Sequence, residues 1–238
     1  QGLPMLYYAW FLAAERHLAE PGSVRVVYVL NAEASLCAAC ALELRHDNRG
    51  RRSYQILGMP RLYEPSALLY RDPAAHNALI KALAGLDHPV VLARVWPDAS
   101  GTDAADRRWR LSRHALVLGK HSAPSQYLEL AGDYAQYHER LPSQRRYDLR
   151  RAYRRAESAG PLRCEILTPA PGDIQATLTT AFAVEALSWK GRQGCAVLAN
   201  AGLREFFFTL LETLAAERRV LVALLYSDAI PIAAQICL

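Results

Sequence analysis

The feature that most narrows the fold of this chain is a helix-then-hairpin unit written into it twice. Apolar residues at helical spacing run from Leu6 to Leu18 and are stopped by Pro21-Gly22. Val24–Leu30 and Leu36–Leu44 then read as two strands around Asn31-Ala32-Glu33-Ala34. Shifting the chain so that Glu33 falls on Asp228 lays Val27-Tyr28-Val29-Leu30 on Val222-Ala223-Leu224-Leu225 and Ala38-Ala39 on Ala233-Ala234. With one gap, Trp10-Phe11 also meets Phe206-Phe207. A duplication produces such an echo, and so do two amphipathic hairpins of separate origin. Under the first alternative, two copies of one domain lie in tandem.

Between the two units, the pattern predicts a strand near Tyr54–Leu57, a helix over Pro73–Leu86, a buried strand Val90–Val95 and a lid-like loop from Pro97 to Arg110. Strands at Ala115–Leu118 and Gln126–Leu130 precede a long polar helix from Tyr134 to Ala159, with Pro142 as its candidate break. Strand Leu162–Leu167, helix Ile174–Trp189, a glycine-containing loop, helix Leu203–Ala216 and strands Val220–Leu225 and Ile230–Leu238 complete it. Helices and strands alternate in one mixed α/β pattern, divided here into lobes 1–131 and 132–238.

With 52% of its 238 residues apolar, the chain can bury a sizeable core, which excludes disorder throughout. Its net charge of +5 is concentrated between Arg145 and Arg155, so an anionic partner is expected to be met locally. No run approaches the roughly 18 consecutive apolar residues that span a bilayer, and Gln1-Gly2-Leu3-Pro4 lacks the basic start of a signal peptide. A soluble, cytoplasmic protein is the expectation. Cys37, Cys40, Cys164, Cys195 and Cys237 are odd in number and sit in apolar segments, which points to reduced core thiols. On a strand, Cys37 and Cys40 project to opposite faces. His46, His114, His121 and His138 show no metal-ligand spacing, so no metal is expected.

Several segments together carry a family likeness: Leu141-Pro142 before Arg145-Arg146-Tyr147-Asp148-Leu149-Arg150-Arg151, then Ala181-Phe182-Ala183-Val184-Glu185, Ser188-Trp189-Lys190-Gly191 and Ile230-Pro231-Ile232-Ala233-Ala234-Gln235. From Leu141 to Leu238 the chain resembles the CelD-like branch of GNAT acyltransferases, associated with bacterial polysaccharide production. The earlier part, with Leu57-Gly58 and Glu64-Pro65, is similar in layout to that family's N-terminal lobe. The resemblance implies two tandem GNAT-like lobes, as in FemAB-type transferases, each a mixed sheet flanked by helices. It implies an acyl-coenzyme A donor, a sugar or polysaccharide-precursor acceptor, and a neighbouring membrane-associated synthesis machinery.

Under that resemblance Glu185 is the candidate general base, with Trp189 and Lys190 as substrate-binding residues; a spacing of four puts Glu185 and Trp189 on one helical face. The alternative is a surface carboxylate beside a core indole. Gln235, with Ala234 and Ile236, falls on the strand expected to hold the pantetheine arm, the alternative being a solvent-facing glutamine. Arg146 and Arg150, with Arg154 in the same row, form a cationic face suited to phosphates, or a solvated helix. Tyr147 and Tyr153 stand where bases can stack, but no RNA-binding signature accompanies them, so nucleic acid is disfavoured. Gly191 and Gly194 follow a helix end and suit a cap better than a phosphate loop; Asn200 is the expected cap of the next helix.

The leading expectation is direct acyl transfer in a ternary complex, since no nucleophile is evident. An aminoacyl-tRNA-dependent FemAB-type transferase and a non-catalytic GNAT-like subunit are the alternatives. A chain cut at both ends is also expected, because the last strand stops at Leu238 and the first helix begins the chain.

Overall fold

The computed structural model describes residues 3–62, 64–95, 109–111, 116–118, 128, 132–158 and 160–238, and the chain divides into two compact units, 1–124 and 125–238. Both contain sheet and helix, giving the expected mixed α/β class.

In the first unit, helix α1 (Tyr8–His17) leads into β1 (Val24–Leu30) and β2 (Leu36–His46), which pair antiparallel from Val24↔Glu43 to Leu30↔Leu36. Strand β3 (Arg52–Ile56) continues the sheet antiparallel to β2. After short helix α2 (Met59–Leu62), short strand β4 (Leu69–Tyr70) and helix α3 (Pro73–Ala84), strand β5 (Val90–Val91) joins β3 in parallel. A parallel pair requires a crossover, and α3 is that crossover. Its start follows from sequence: Asp72 Oδ1 accepts the Ala75 N–H at 2.8 Å, and Pro73 occupies the first turn. Leu79 and Leu83 of α3 pack with Leu42, Tyr54 and Ile56 of the sheet. A separate pair, β6 (Trp109–Leu111) and β7 (Leu116–Leu118), is antiparallel.

In the second unit, α4 (Tyr134–Arg140) and α5 (Ser143–Glu157) precede β8 (Leu162–Leu167), α6 (Ile174–Ala186), α7 (Trp189–Arg192), α8 (Ala201–Ala216), β9 (Leu221–Ser227) and β10 (Ile230–Cys237). The three strands form an antiparallel sheet in the order β10-β9-β8. Ile174, Leu178 and Phe182 of α6, Phe206, Leu210 and Leu214 of α8, and Val222 and Leu224 of β9 are buried. The Phe182 ring lies 5.8 Å from Phe207 and 6.0 Å from Phe208, centroid to centroid.

Several expectations change in extent. The Tyr134–Ala159 helix is two helices, because Leu141 and Pro142 are both extended and a residue before proline disfavours helical geometry. The strand expected over Val90–Val95 pairs only through Val91; Arg94 turns with φ +54°, and Val95 makes an isolated parallel bridge to Ser66. Trp109 and Arg110, read as loop, lie in β6; the remainder of that loop, residues 97–108, falls outside the described residues, as does all of Gln126–Leu130 except Leu128. Of the five cysteines, only Cys37 and Cys40 are buried; Cys164, Cys195 and Cys237 are exposed free thiols, since β8, β10 and the 193–196 turn each leave a side open. Burial pushes the Cys40 thiol up to about 12.

The helix–strand–turn–strand unit occurs in both halves, as α1-β1-β2 and α8-β9-β10. The turns differ. Asn31 closes the first, its Oδ1 accepting from Glu33 N at 3.1 Å and Ser35 N at 2.8 Å, with Ala34 left-handed at φ +59°. The second has two residues, with Asp228 left-handed at φ +53°. By conformation Asp228 corresponds to Ala34, one residue beyond Glu33. The hairpins also sit differently in their sheets: β1 is an edge strand, whereas in the second hairpin the edge strand is β10.

One residue of the first unit runs against its alternation. Leu42-Glu43-Leu44 reads as in-out-in, yet Glu43 is 1% exposed because both faces of β2 are covered. Among the described residues neither carboxylate oxygen has a hydrogen-bond donor; Arg45 Nη1 is 3.8 Å away. Burial holds this carboxyl above the usual 4.5, outweighing the opposing pull of the Arg45 and Arg61 charges. The folded unit therefore binds this proton more tightly than the unfolded chain. Its stabilising contribution is complete below pH 4.5 and is lost as pH rises through the elevated folded value. Glu43→Gln is expected to raise stability at pH 8 by about 1–3 kcal/mol and to flatten the decline between pH 5 and 8. Urea unfolding at the two pH values measures both effects, and an unchanged pH dependence refutes them.

Candidate active site

Strand β10 is the outer strand of its sheet, and the C-terminal half of α6 runs beside it. Between them lies an open groove of about 650 Å³, whose lining includes Phe182, Glu185 and Lys190 on one side and Ala234, Gln235 and Ile236 on the other. A volume of this order accommodates a substrate-sized molecule.

The groove's polar end is built by a break in the helix. Helix α6 stops at Ala186, and Ser188 caps a new short helix, its Oγ accepting the Lys190 N–H at 3.2 Å. Glu185 spans the break. Its Oε1 accepts from Lys190 Nζ at 2.7 Å and its Oε2 from the Val197 N–H at 2.9 Å. One carboxylate thus ties the end of α6 to α7 and to the segment entering α8. The charge-assisted bonds are the stronger kind, and Glu185 is largely shielded from water, which lessens screening.

Gly191 explains why a glycine follows Trp189-Lys190. A Cβ built there would stand 1.7 Å from the carbonyl oxygen of Ala186, so α7 can fold back onto the end of α6 only without a side chain at this position. Gly194, at φ +69°, then ends α7: its N–H bonds the Gly191 carbonyl at 3.1 Å and the Cys195 N–H bonds the Lys190 carbonyl at 2.9 Å. Capping was the expectation for both glycines; Gly194 does it, whereas Gly191 serves a close approach. Asn200 caps α8 as expected, accepting the Leu203 N–H at 3.0 Å.

The structure gathers Glu185, Lys190, Ala234, Gln235 and Ile236 around the groove and leaves three of the expected residues out. Trp189 is not on the helix of Glu185. It opens α7, is 55% exposed and does not line the groove, so the argument from a spacing of four fails at the break after Ala186. Arg146 and Arg150 are on α5, which contributes nothing to the lining. Gln235 pairs with Ala223 on the sheet face opposite Val222 and Leu224, and its side chain is exposed. What it brings to the groove is its place on an edge strand. Ser188 belongs to the motif that carries the family likeness, but its capping role and the Val197 amide escaped the sequence reading; a serine able to N-cap within an apolar run was the available signal. Among the described residues there is no group of three or more His, Cys, Asp or Glu side chains placed to hold a metal, and no single helix long and apolar enough to cross a membrane.

Residues 143–238 match the family model for the acetyltransferase (GNAT) domain. The match spans every element of the groove and supports acyl transfer as this domain's class of chemistry, with an acyl-coenzyme A partner. A search of curated proteins found no match.

Removing the Glu185 carboxylate should free the segment it holds. In Glu185→Ala, hydrogen exchange at the Val197 amide is expected to accelerate roughly tenfold or more, the equivalent of about 1.5 kcal/mol for a bond to a charged group. Lys190→Met should leave that amide nearly as protected as in the parent, because the Val197 bond uses the other oxygen. Gly191→Ala is expected to destabilise the second unit and to expose the same amide. Equal protection in all three variants would remove the clasp from the account.

Proposed function

We propose that this protein is an acyl-coenzyme-A-dependent N- or O-acyltransferase acting on a sugar or polysaccharide precursor. The observation that carries the reading is the coincidence of the GNAT domain match with a groove holding a carboxylate, an ammonium and an edge strand. The acyl thioester lies along β10, where main-chain groups not used by β9 are available to an extended amide-bearing arm. The acceptor enters by Glu185. Its amine or hydroxyl attacks the thioester carbonyl carbon, the carbon–sulfur bond breaks, the thiolate leaves, and the acceptor's proton passes to Glu185. Each Glu185 oxygen has one protein donor and retains a lone pair for that proton. The Lys190 ammonium beside it balances the negative charge that builds on the reacting oxygen. The polysaccharide assignment rests on the CelD-like resemblance, as does a neighbouring membrane-bound machinery; a cytoplasmic location is proposed from the hydropathy and cysteine pattern of the sequence. The repeated helix–hairpin and the parallel β3–β5 pair support reading residues 1–131 as a second GNAT-like lobe.

One observation favours a second reading. Both oxygens of Glu185 are already bonded within the fold, as suits a residue that only holds the groove open. On that reading the domain is a GNAT-like binding subunit.

Turnover separates the two. Release of free thiol from acetyl-coenzyme A in the presence of amino-sugar and hydroxyl-sugar acceptors is expected for the enzyme. Glu185→Gln should lower kcat by about 10²–10⁴ with little change in donor affinity, as for loss of a general base. Trp189→Ala, outside the groove, should stay within a few-fold of the parent. No thiol release with any acceptor, alongside intact donor binding by calorimetry, supports the binding subunit and overturns the enzyme.

A further inference from the structure

Helix α5 buries no residue, and its composition does not suit a merely solvated helix. In its fifteen residues it carries Arg145, Arg146, Arg150, Arg151, Arg154 and Arg155, no lysine, and only Asp148 and Glu157 as carboxylates. Among the described residues none of these arginines is in an ion pair. Arg146 donates to the Glu139 carbonyl at 2.7 Å, and the other five guanidinium groups have no hydrogen-bond partner there. Asp148 is engaged by Gln144 Nε2 at 3.1 Å. Tyr147 and Tyr153, normally half-hidden residues, are 48% and 58% exposed.

Helical geometry arranges these side chains in rows. Arg146, Arg150 and Arg154 form one, Tyr147, Arg151 and Arg155 the next, and Tyr153 flanks the first on its outer side. From Arg146 to Arg155 the helix rises about 14 Å, which places five guanidinium groups at about one per 3 Å of axis. We propose that this face of α5 binds single-stranded nucleic acid, with the arginines on successive phosphates and Tyr147 and Tyr153 stacked on bases.

Three features select this partner. The helix buries none of its residues, so its face suits a flexible polymer laid across it better than a small molecule, which needs a concave site. The exposed rings of Tyr147 and Tyr153 among the arginines offer stacking faces that planar bases fill and that the saturated rings of an acidic polysaccharide do not. Leu149 is the helix's one large aliphatic residue, so α5 lacks the apolar face that would seat it in a membrane. Exclusive use of arginine suits bidentate phosphate contacts, and tyrosines among them suit stacking. The inference does not depend on acyl transfer.

The test is fluorescence anisotropy of the full chain with a labelled 15-nucleotide oligouridine, titrated at several salt concentrations. Binding in the micromolar range at 50 mM salt is expected. The logarithm of affinity should fall against the logarithm of salt with a slope of about −2 to −3.5, for three to five phosphates at about −0.7 each. Combined replacement Arg146→Gln, Arg150→Gln and Arg154→Gln should weaken binding at least tenfold and make the slope shallower by about 2. Tyr147→Ala with Tyr153→Ala should weaken binding several-fold and leave the slope unchanged, since stacking releases no counterions. Circular dichroism checks folding, and if the arginine variant unfolds, the parent's salt slope and the tyrosine variant decide. The proposal is overturned by parent affinity weaker than about 100 μM, by either variant binding like the parent, or by acidic polysaccharide or anionic vesicles displacing the oligonucleotide at equal charge.

Discussion

The second unit depends on one carboxylate. Glu185 stands at the last turn of α6 and bonds both the ammonium of Lys190 and the backbone of Val197, so three segments that diverge in sequence meet at a single residue. Without that junction the chain between Ala186 and Asn200 would be a loose connection over an apolar core, and the groove along β10 would have no polar end. Gly191 is the complementary constraint. By leaving room for the Ala186 carbonyl it lets α7 lie close enough for Lys190 to reach Glu185. The arrangement makes the same residue part of the scaffold and part of the groove wall.

The first unit shows the opposite treatment of a glutamate withdrawn from water. Glu185 has two donors; Glu43, more deeply buried, has none among the described residues, and its carboxyl is pushed upward as a result. The partnered, half-buried carboxylate fixes local geometry, whereas the unpartnered, buried one costs stability whenever it ionises.

Much of the architecture could be read from the chain because local signals and tertiary structure agree. Val24–Leu30 and Leu162–Leu167 are strands over those same residues, and Asp72-Pro73 and Asn200 start helices by their own capping chemistry. Legibility fails where contacts distant in sequence decide. Between Leu187 and Trp189 stands neither proline nor glycine, and Ser188 is the one cue to a helix end; the break is fixed by the Ser188 cap and by the bonds of Glu185 to Lys190 and Val197. The burial of Glu43 was hidden for the same reason, because alternation along β2 reports one covered face and the strand has two. Of the site, Glu185 and Lys190 could be marked by motif. Their bond, and the exclusion of Trp189, required the fold.

The proline near the start of β10 has a consequence for anything that lies along that edge. Pro231 has no N–H to offer, and the register slips between Pro231 and Ala233, so the ladder is interrupted at its entrance. Regular pairing resumes beyond the slip, from Ala233 to Cys237. An extended chain laid along this edge would therefore meet a phase marker, because a regular ladder begins only past the interruption. For the donor arm proposed to lie there, register along the edge would be set by backbone chemistry at Pro231 and not by the side chains of Ala233–Cys237.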